Sequence, residues 1–163
     1  MKLWIACLLP LAAVAQQQTE RGEALFTDAK VGCSGCHALK GKGTAVGPDL
    51  SGIARLTPQA IAMAVHSTAT QYVQAVKLKS EETFPAMPGP KDDKVVQLFD
   101  LSKTPPELRK IDKADIVSMT NTDVWKHPPA VDKRTDQQLA DIVAWIRYAV
   151  TGVKKEVTPD EVK

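Results

Sequence analysis

Five consecutive residues, Cys33-Ser34-Gly35-Cys36-His37, constrain this chain more than any other feature of it. Two thiols separated by two residues, with an imidazole next, form the C-x-x-C-H signature of covalent c-type haem attachment. Each thiol adds to one vinyl group of the same porphyrin, and the following histidine then lies under the iron as its proximal ligand. A bare C-x-x-C also occurs as a redox dithiol or as half of a zinc site, but zinc needs two further ligands at suitable spacing, and none stands in the sequence. Cys33, Cys36 and His37 are therefore expected to hold one covalent haem c.

The N-terminus supports export, which such attachment requires in bacteria. Lys2 precedes an apolar stretch, Leu3 to Val14, that ends in Ala13-Val14-Ala15. A charged residue, an apolar region and a small-x-small site make a signal peptide over residues 1–15, with Gln16 the first mature residue. The stretch is short for a membrane anchor, and Cys7 sits too early in it for a lipoprotein. Removing it leaves two of the three cysteines, both in the motif. The expected location is periplasmic or secreted, with no stable membrane insertion after cleavage. The net charge of +2 carries no basic run, so nucleic acid is not an expected partner.

Three helices can be read directly. Glu20 to Phe26 precedes the motif as a short helix. Thr57-Pro58 is an N-cap followed by proline at the first helical position, and Ile61, Ala64 and Val65 continue the pattern, predicting a helix over 58–68. Thr135-Asp136-Gln137-Gln138 is a capping box, followed by Leu139, Ile142, Val143 and Ile146 at helical spacing, with Gly152 a stop. Eleven residues after His37 stands the segment Gly47-Pro48-Asp49-Leu50.

On the attachment motif, this Gly-Pro-x-Leu segment and the final helix, residues 19–68 and about 120–150 resemble the class I cytochrome c family. The resemblance implies a mainly α fold of about three to four helices around one haem. It implies that the Pro48 carbonyl accepts the proximal histidine's ring N–H, making Pro48 part of the cofactor site. It also implies that the first and last helices cross, with Gly22, Phe26, Trp145 and Tyr148 as core residues at the crossing. The domain is expected over 16–152, with 153–163 a charged flexible tail.

The middle of the chain departs from the small members of that family. Val76 and Leu78 alternate with lysines, Val95 to Phe99 is β-branched and aromatic, and Leu108 to Ile111 is a third candidate strand. Pro88 to Asp93 and Pro105-Pro106 supply turns. These predict a small antiparallel β insertion at about 73–117. Its pattern is similar to strand-rich insertions in haem domains that accompany large periplasmic dehydrogenases.

The insertion leaves the sixth iron ligand open among several residues. The family usually supplies a methionine shortly before the last helix. His127, in Trp125-Lys126-His127-Pro128-Pro129, holds that register eight residues before Thr135 and is the expected metal ligand. Met87, in Phe84-Pro85-Ala86-Met87-Pro88, is the alternative, because it looks like the familiar Met-Pro loop. Met119 and an open or water-bound site are the remaining readings. His66 is expected as a helix-surface or satisfied core residue, and Met63 in packing against the haem or the core. Lys40, Lys42, Lys77 and Lys79 read as a solubilising surface, with a docking rim the alternative.

The function expected is electron transfer, not enzymatic turnover, with the iron cycling between Fe(III) and Fe(II). The resemblance points to a periplasmic dehydrogenase as donor and another cytochrome or an oxidase as acceptor. Two other classes compete: an enzyme or sensor with an open iron site for peroxide or a diatomic gas, and a subunit docked permanently in a redox complex. Rapid CO binding would mark the first, and stable co-purification with a partner the second.

Overall fold

A computed structural model of the chain describes residues 11–28, 32–66, 72–125 and 133–163. The elements are helix α1 (Leu11–Thr27), a hairpin of β1 (Ala38–Leu39) and β2 (Lys42–Gly43), helix α2 (Pro58–His66), strands β3 (Gln74–Leu78), β4 (Thr83–Pro88), β5 (Val95–Asp100), β6 (Glu107–Asp112) and β7 (Ile116–Asn121), and helix α3 (Asp136–Thr151). His127 lies outside the described residues.

Helix α3 forms where its cap and periodicity place it. The Thr135 hydroxyl accepts from the Gln138 N–H, the Gln138 side chain accepts from the Thr135 N–H, and Gly152 closes the helix in the left-handed region at φ 74°. Its face of Leu139, Ile142, Val143 and Ile146 is buried. Helix α1 is longer than the seven residues expected of it: it starts at Leu11, runs through Ala15 and ends at Thr27.

The crossing of α1 and α3 is set by Gly22. A Cβ there would overlap the Asp141 carbonyl and stand 2.7 Å from Trp145 Cβ, so the two backbones approach as only glycine allows. Beside this contact, Arg21 donates twice to the buried Asp141 carboxylate, at 2.8 and 3.0 Å, and Gln137 donates to it at 2.8 Å. Phe26 packs with Ile142 and Ile146, and Trp145 stacks at an angle on Tyr148 with 6.0 Å between ring centroids.

Strands β3 to β7 form one antiparallel sheet in the order β6-β5-β4-β3-β7. The first and last strands in that order follow each other in the chain, joined only through Lys113–Asp115. A flat sheet would separate them by roughly 19 Å, four gaps of about 4.8 Å, whereas four Cα steps reach at most about 14 Å. The sheet therefore curls. Val76, Leu78, Phe84, Ala86, Leu98 and Ile111 fill its concave side. Arg109 on β6 reaches Glu82, between β3 and β4, with bonds of 2.7 and 2.9 Å, and buried Asp100 at 3.2 Å, with its guanidinium 4.2 Å from the Phe84 ring centroid.

Three sequence expectations are corrected here. The antiparallel β insertion is present but larger than expected: it has five strands rather than three and runs to Asn121, past the expected end near 117. Met87 is not in a loop. It lies in β4, opposite Phe99, and the residues buried in the sheet's core from that strand are its neighbours in alternation, Phe84 and Ala86. The segment 153–163 is not a loose tail. Val157 and Val162 are buried against Ile61, Ala62, Leu139, Ala140 and Val143, because two apolar side chains among the charges find a groove between α2 and α3.

Candidate haem site

The attachment motif folds as a single tight turn. Cys33–Gly35 is a 3-10 turn, and the Cys33 carbonyl accepts from both Cys36 N at 3.1 Å and His37 N at 2.8 Å. This bends the chain so that both thiols and the imidazole issue from one short arc. Neither cysteine is in a disulfide. Burial pushes both thiols above their ordinary range, Cys33 in spite of the nearby positive charge of Arg134. That is the opposite of the depressed pKa that activates a redox dithiol.

The segment that follows wraps back under the motif. The two-residue turn Lys40-Gly41 takes positive φ at both positions, 52° and 72°, which suits the tight hairpin of β1 and β2. Returning from it, Thr44 N donates to Ser34 O, and Val46 N and Gly47 N both donate to Cys36 O, the last at 2.7 Å. Gly47 is thereby laid against the imidazole: a Cβ on it would stand 2.5, 2.8 and 3.1 Å from Cε1, Nδ1 and Nε2 of His37.

The next residue fixes the ring. His37 Nδ1 lies 2.8 Å from Pro48 O. A carbonyl oxygen can only accept, so Nδ1 carries a proton, and the neutral tautomer of this ring has its lone pair on Nε2. That is the tautomer a metal-ligating histidine adopts when its other nitrogen is hydrogen-bonded. Asp49, immediately after, caps the 3-10 turn Leu50–Arg55 through Ser51 N at 2.7 Å and also accepts from Gly41 N at 3.0 Å. The Ser51 side chain, followed by the Ser51 and Gly41 backbone N–H groups, favours its charged form and lowers the Asp49 pKa to about 2. Sequence reading passed over this carboxylate, although an aspartate two residues before the end of a Gly-Pro-Asp-Leu-Ser run is a recognisable cap.

A family model for cytochrome c matches residues 19–121. The chain belongs to the cytochrome c family. No curated protein sequence is significantly similar to it. Cytochrome c proteins hold haem c covalently through C-x-x-C-H, are usually electron carriers though some are enzymes, and are often secreted or periplasmic. Among the described residues no helix is long and apolar enough to cross a membrane.

The residues present fit that group. Cys33 lies in the apolar cluster of Phe26, Leu39, Leu50, Ile142, Ile146 and Trp145. In that cluster the Trp145 Nε1–H is buried with no acceptor among the described residues, a polar position that the protein side chains leave unfilled. The competing zinc reading has no support among the described residues, where no group of three or more His, Cys, Asp or Glu converges.

The candidate sixth ligands fare differently. Met119 is committed to the sheet, where it packs on the core of Val76 and Phe84. Met63 is 69% exposed on α2 and so is not packed in the protein's own core, and of the two places read for His66 the structure shows the helix surface. Met87 lies within the sheet, in β4 opposite Phe99. His127 belongs to the undescribed stretch between β7 and α3.

Proposed function

We propose that this cytochrome c is a single-haem electron-transfer protein, exported after cleavage at Ala15, with Cys33 and Cys36 as the attachment residues, His37 as the proximal ligand and His127 as the sixth ligand. The observation that carries the reading is the 2.8 Å contact of His37 Nδ1 with Pro48 O, directly beside the two cysteines. When bound, a haem c supplies a one-electron Fe(III)/Fe(II) couple. The chain's own contribution is to attach, orient and bury. Cys33 and Cys36 fix the position, Pro48 holds the proton on Nδ1, and Gly47 lets the backbone lie flat on the ring. A second imidazole, like a thioether, would keep the site closed to substrate, and would hold its potential lower than a thioether would.

Cleavage after Ala15 would remove the first turn of α1 and keep Gln16–Thr27, including Gly22 and Phe26 at the crossing. The proposed donor is a periplasmic dehydrogenase and the proposed acceptor another cytochrome or an oxidase. The size of the sheet supports a docking role beyond that of a minimal carrier.

The test is the absorption spectrum of the purified holoprotein in both oxidation states, with His127→Ala and Met87→Ala beside it. The expected ferric protein is low-spin, lacks the far-red sulfur-to-iron band, and turns high-spin only in the His127 variant. A sulfur band that disappears with Met87→Ala would replace His127 by Met87. Rapid CO binding by the reduced wild type would overturn the closed carrier site.

A further inference from the structure

The oxygen that takes the His37 proton belongs to the peptide between Pro48 and Asp49. Two rotations adjoin that peptide plane, Pro48 ψ and Asp49 φ, and the proline ring already restrains its own φ. Asp49 is held at φ −65°. Its carboxylate is anchored at both oxygens, Oδ1 on the Ser51 N–H at 2.7 Å and Oδ2 on the Gly41 N–H at 3.0 Å. Ser51 in turn accepts from Lys40 N at 2.7 Å through its hydroxyl. The turn of the β1–β2 hairpin is thus tied to the residue next to the accepting carbonyl. The hairpin itself starts one residue after His37, so the chain closes a ring: His37, hairpin turn, Asp49, Pro48 oxygen, His37.

We propose that Asp49 is a positioning residue for the His37 imidazole: by tying the hairpin turn to the 3-10 turn, its carboxylate holds the Pro48 carbonyl on Nδ1 and so sets how strongly the imidazole donates to iron. The proposal rests on reading His37 as the proximal haem ligand. A firmer Nδ1–H···O bond makes the imidazole more basic, and a more basic ligand favours ferric iron and lowers the potential. The low pKa of Asp49 means that the anionic acceptor is present throughout the neutral range.

The experiment uses full-length holoprotein of the wild type, Asp49→Ala and Asp49→Asn. Covalent haem is scored first on a denaturing gel, then solvent exchange of the His37 ring N–H by NMR, then the reduction potential. Asp49→Ala is expected to exchange that proton about tenfold faster, the scale of one ordinary hydrogen bond, and to shift the potential upward. Asp49→Asn retains an acceptor for Ser51 N and is expected to lie between. A mere field effect of the lost charge would shift both potentials alike and leave exchange at the wild-type rate; that result overturns the proposal. If Asp49→Ala yields no holoprotein, Asp49→Asn decides alone: several-fold faster exchange supports the role, and the wild-type rate overturns it. Wild-type protein without covalent haem would instead refute the site itself, a failure visible at the first step.

Discussion

The side-chain amide of Gln18 brackets the backbone of Val157: Nε2 donates to its carbonyl oxygen at 2.7 Å, and its N–H donates to Oε1 at 3.0 Å. Gln18 and Val157 are both buried, so these bonds replace two that water would otherwise make. Through them the C-terminal segment becomes part of the fold. It continues to Lys163, whose carbonyl accepts from Gln59 on α2 at 3.0 Å. Residues 153–163 thus connect α1, α2 and α3 from outside the crossing.

Gln18→Ala leaves the Val157 N–H and C=O buried without partners, at a cost of about 2 kcal/mol. Val157→Ala removes two buried methyl groups and is expected to cost a similar amount, about 1.5–2 kcal/mol. Denaturant unfolding of the full-length holoprotein, followed by far-ultraviolet circular dichroism, measures both. The visible spectrum of the folded variants should match the wild type, since Val157 belongs to the cluster of Ile61, Leu139 and Val143 and Cys33 to the separate one of Phe26, Ile142 and Ile146.

Much of the candidate site was legible because it is local. The Cys33-to-His37 spacing follows from the chemistry of attaching two neighbouring thiols to one porphyrin, and the role of Pro48 came with the resemblance carried by the Gly-Pro-Asp-Leu segment. The α1–α3 crossing came from the resemblance to the cytochrome c family, which put Gly22 and Trp145 where the two helices meet, and from the capped final helix. What was not legible depends on long-range pairing. Thr83–Pro88 contains two prolines, which argue against a central strand, yet β4 lies between β3 and β5 and its Pro85 carbonyl accepts from Leu101 N. Phe84 and Ala86 alternate correctly, but the prolines masked the pattern. Ile116–Asn121 pairs back to β3 across the whole insertion, a partner that no local signal names. The C-terminal segment did carry a signal: Thr158-Pro159-Asp160-Glu161 is a capping box with proline at its first position, and it starts the final turn as such boxes do.

Arg109 is the keystone of the sheet's charges. It satisfies Asp100, whose side chain is 3% exposed, and pairs with Glu82 while covering the Phe84 ring. Arg109→Ala leaves the Asp100 carboxylate with Ser102 as its remaining side-chain partner. The expected loss is about 2–3 kcal/mol. Arg109→Lys should recover little, because a single ammonium lacks the planar fork needed to meet two carboxylates and stack on a ring. Native-state hydrogen exchange of β5 and β6 amides would rise in both variants, while α1 and α3 stay protected.

The Asp49 carboxylate gives a pH dependence of known sign. Its folded pKa of about 2 lies below the ordinary 3.8. The stability it contributes is therefore complete above the unfolded value and is lost as pH falls through the folded one. Against Asp49→Asn, the wild type should keep a constant advantage from neutral pH down to about 4, then lose it as pH approaches 2. Glu82, Asp92 and Asp100 also have lowered pKa values, but they are common to both proteins and cancel in the difference. Denaturant midpoints for the pair across this range provide the check.

Gly47 tests whether the imidazole's flat seat matters. A methyl group there would stand 2.5 Å from Cε1 of His37, well inside van der Waals contact, with the ring unable to retreat without leaving the Pro48 oxygen. Gly47→Ala should therefore push the ring off its bond, destabilise the site by about 1–3 kcal/mol, and lower the yield of low-spin holoprotein. Gly52→Ala is the matched control, because a Cβ at that position meets nothing within 4 Å. If both variants mature with wild-type spectra, the close approach of Gly47 is incidental and the ring is held by Pro48 alone. If only Gly47→Ala fails, the glycine of the Gly-Pro segment is there for the histidine and not for the turn.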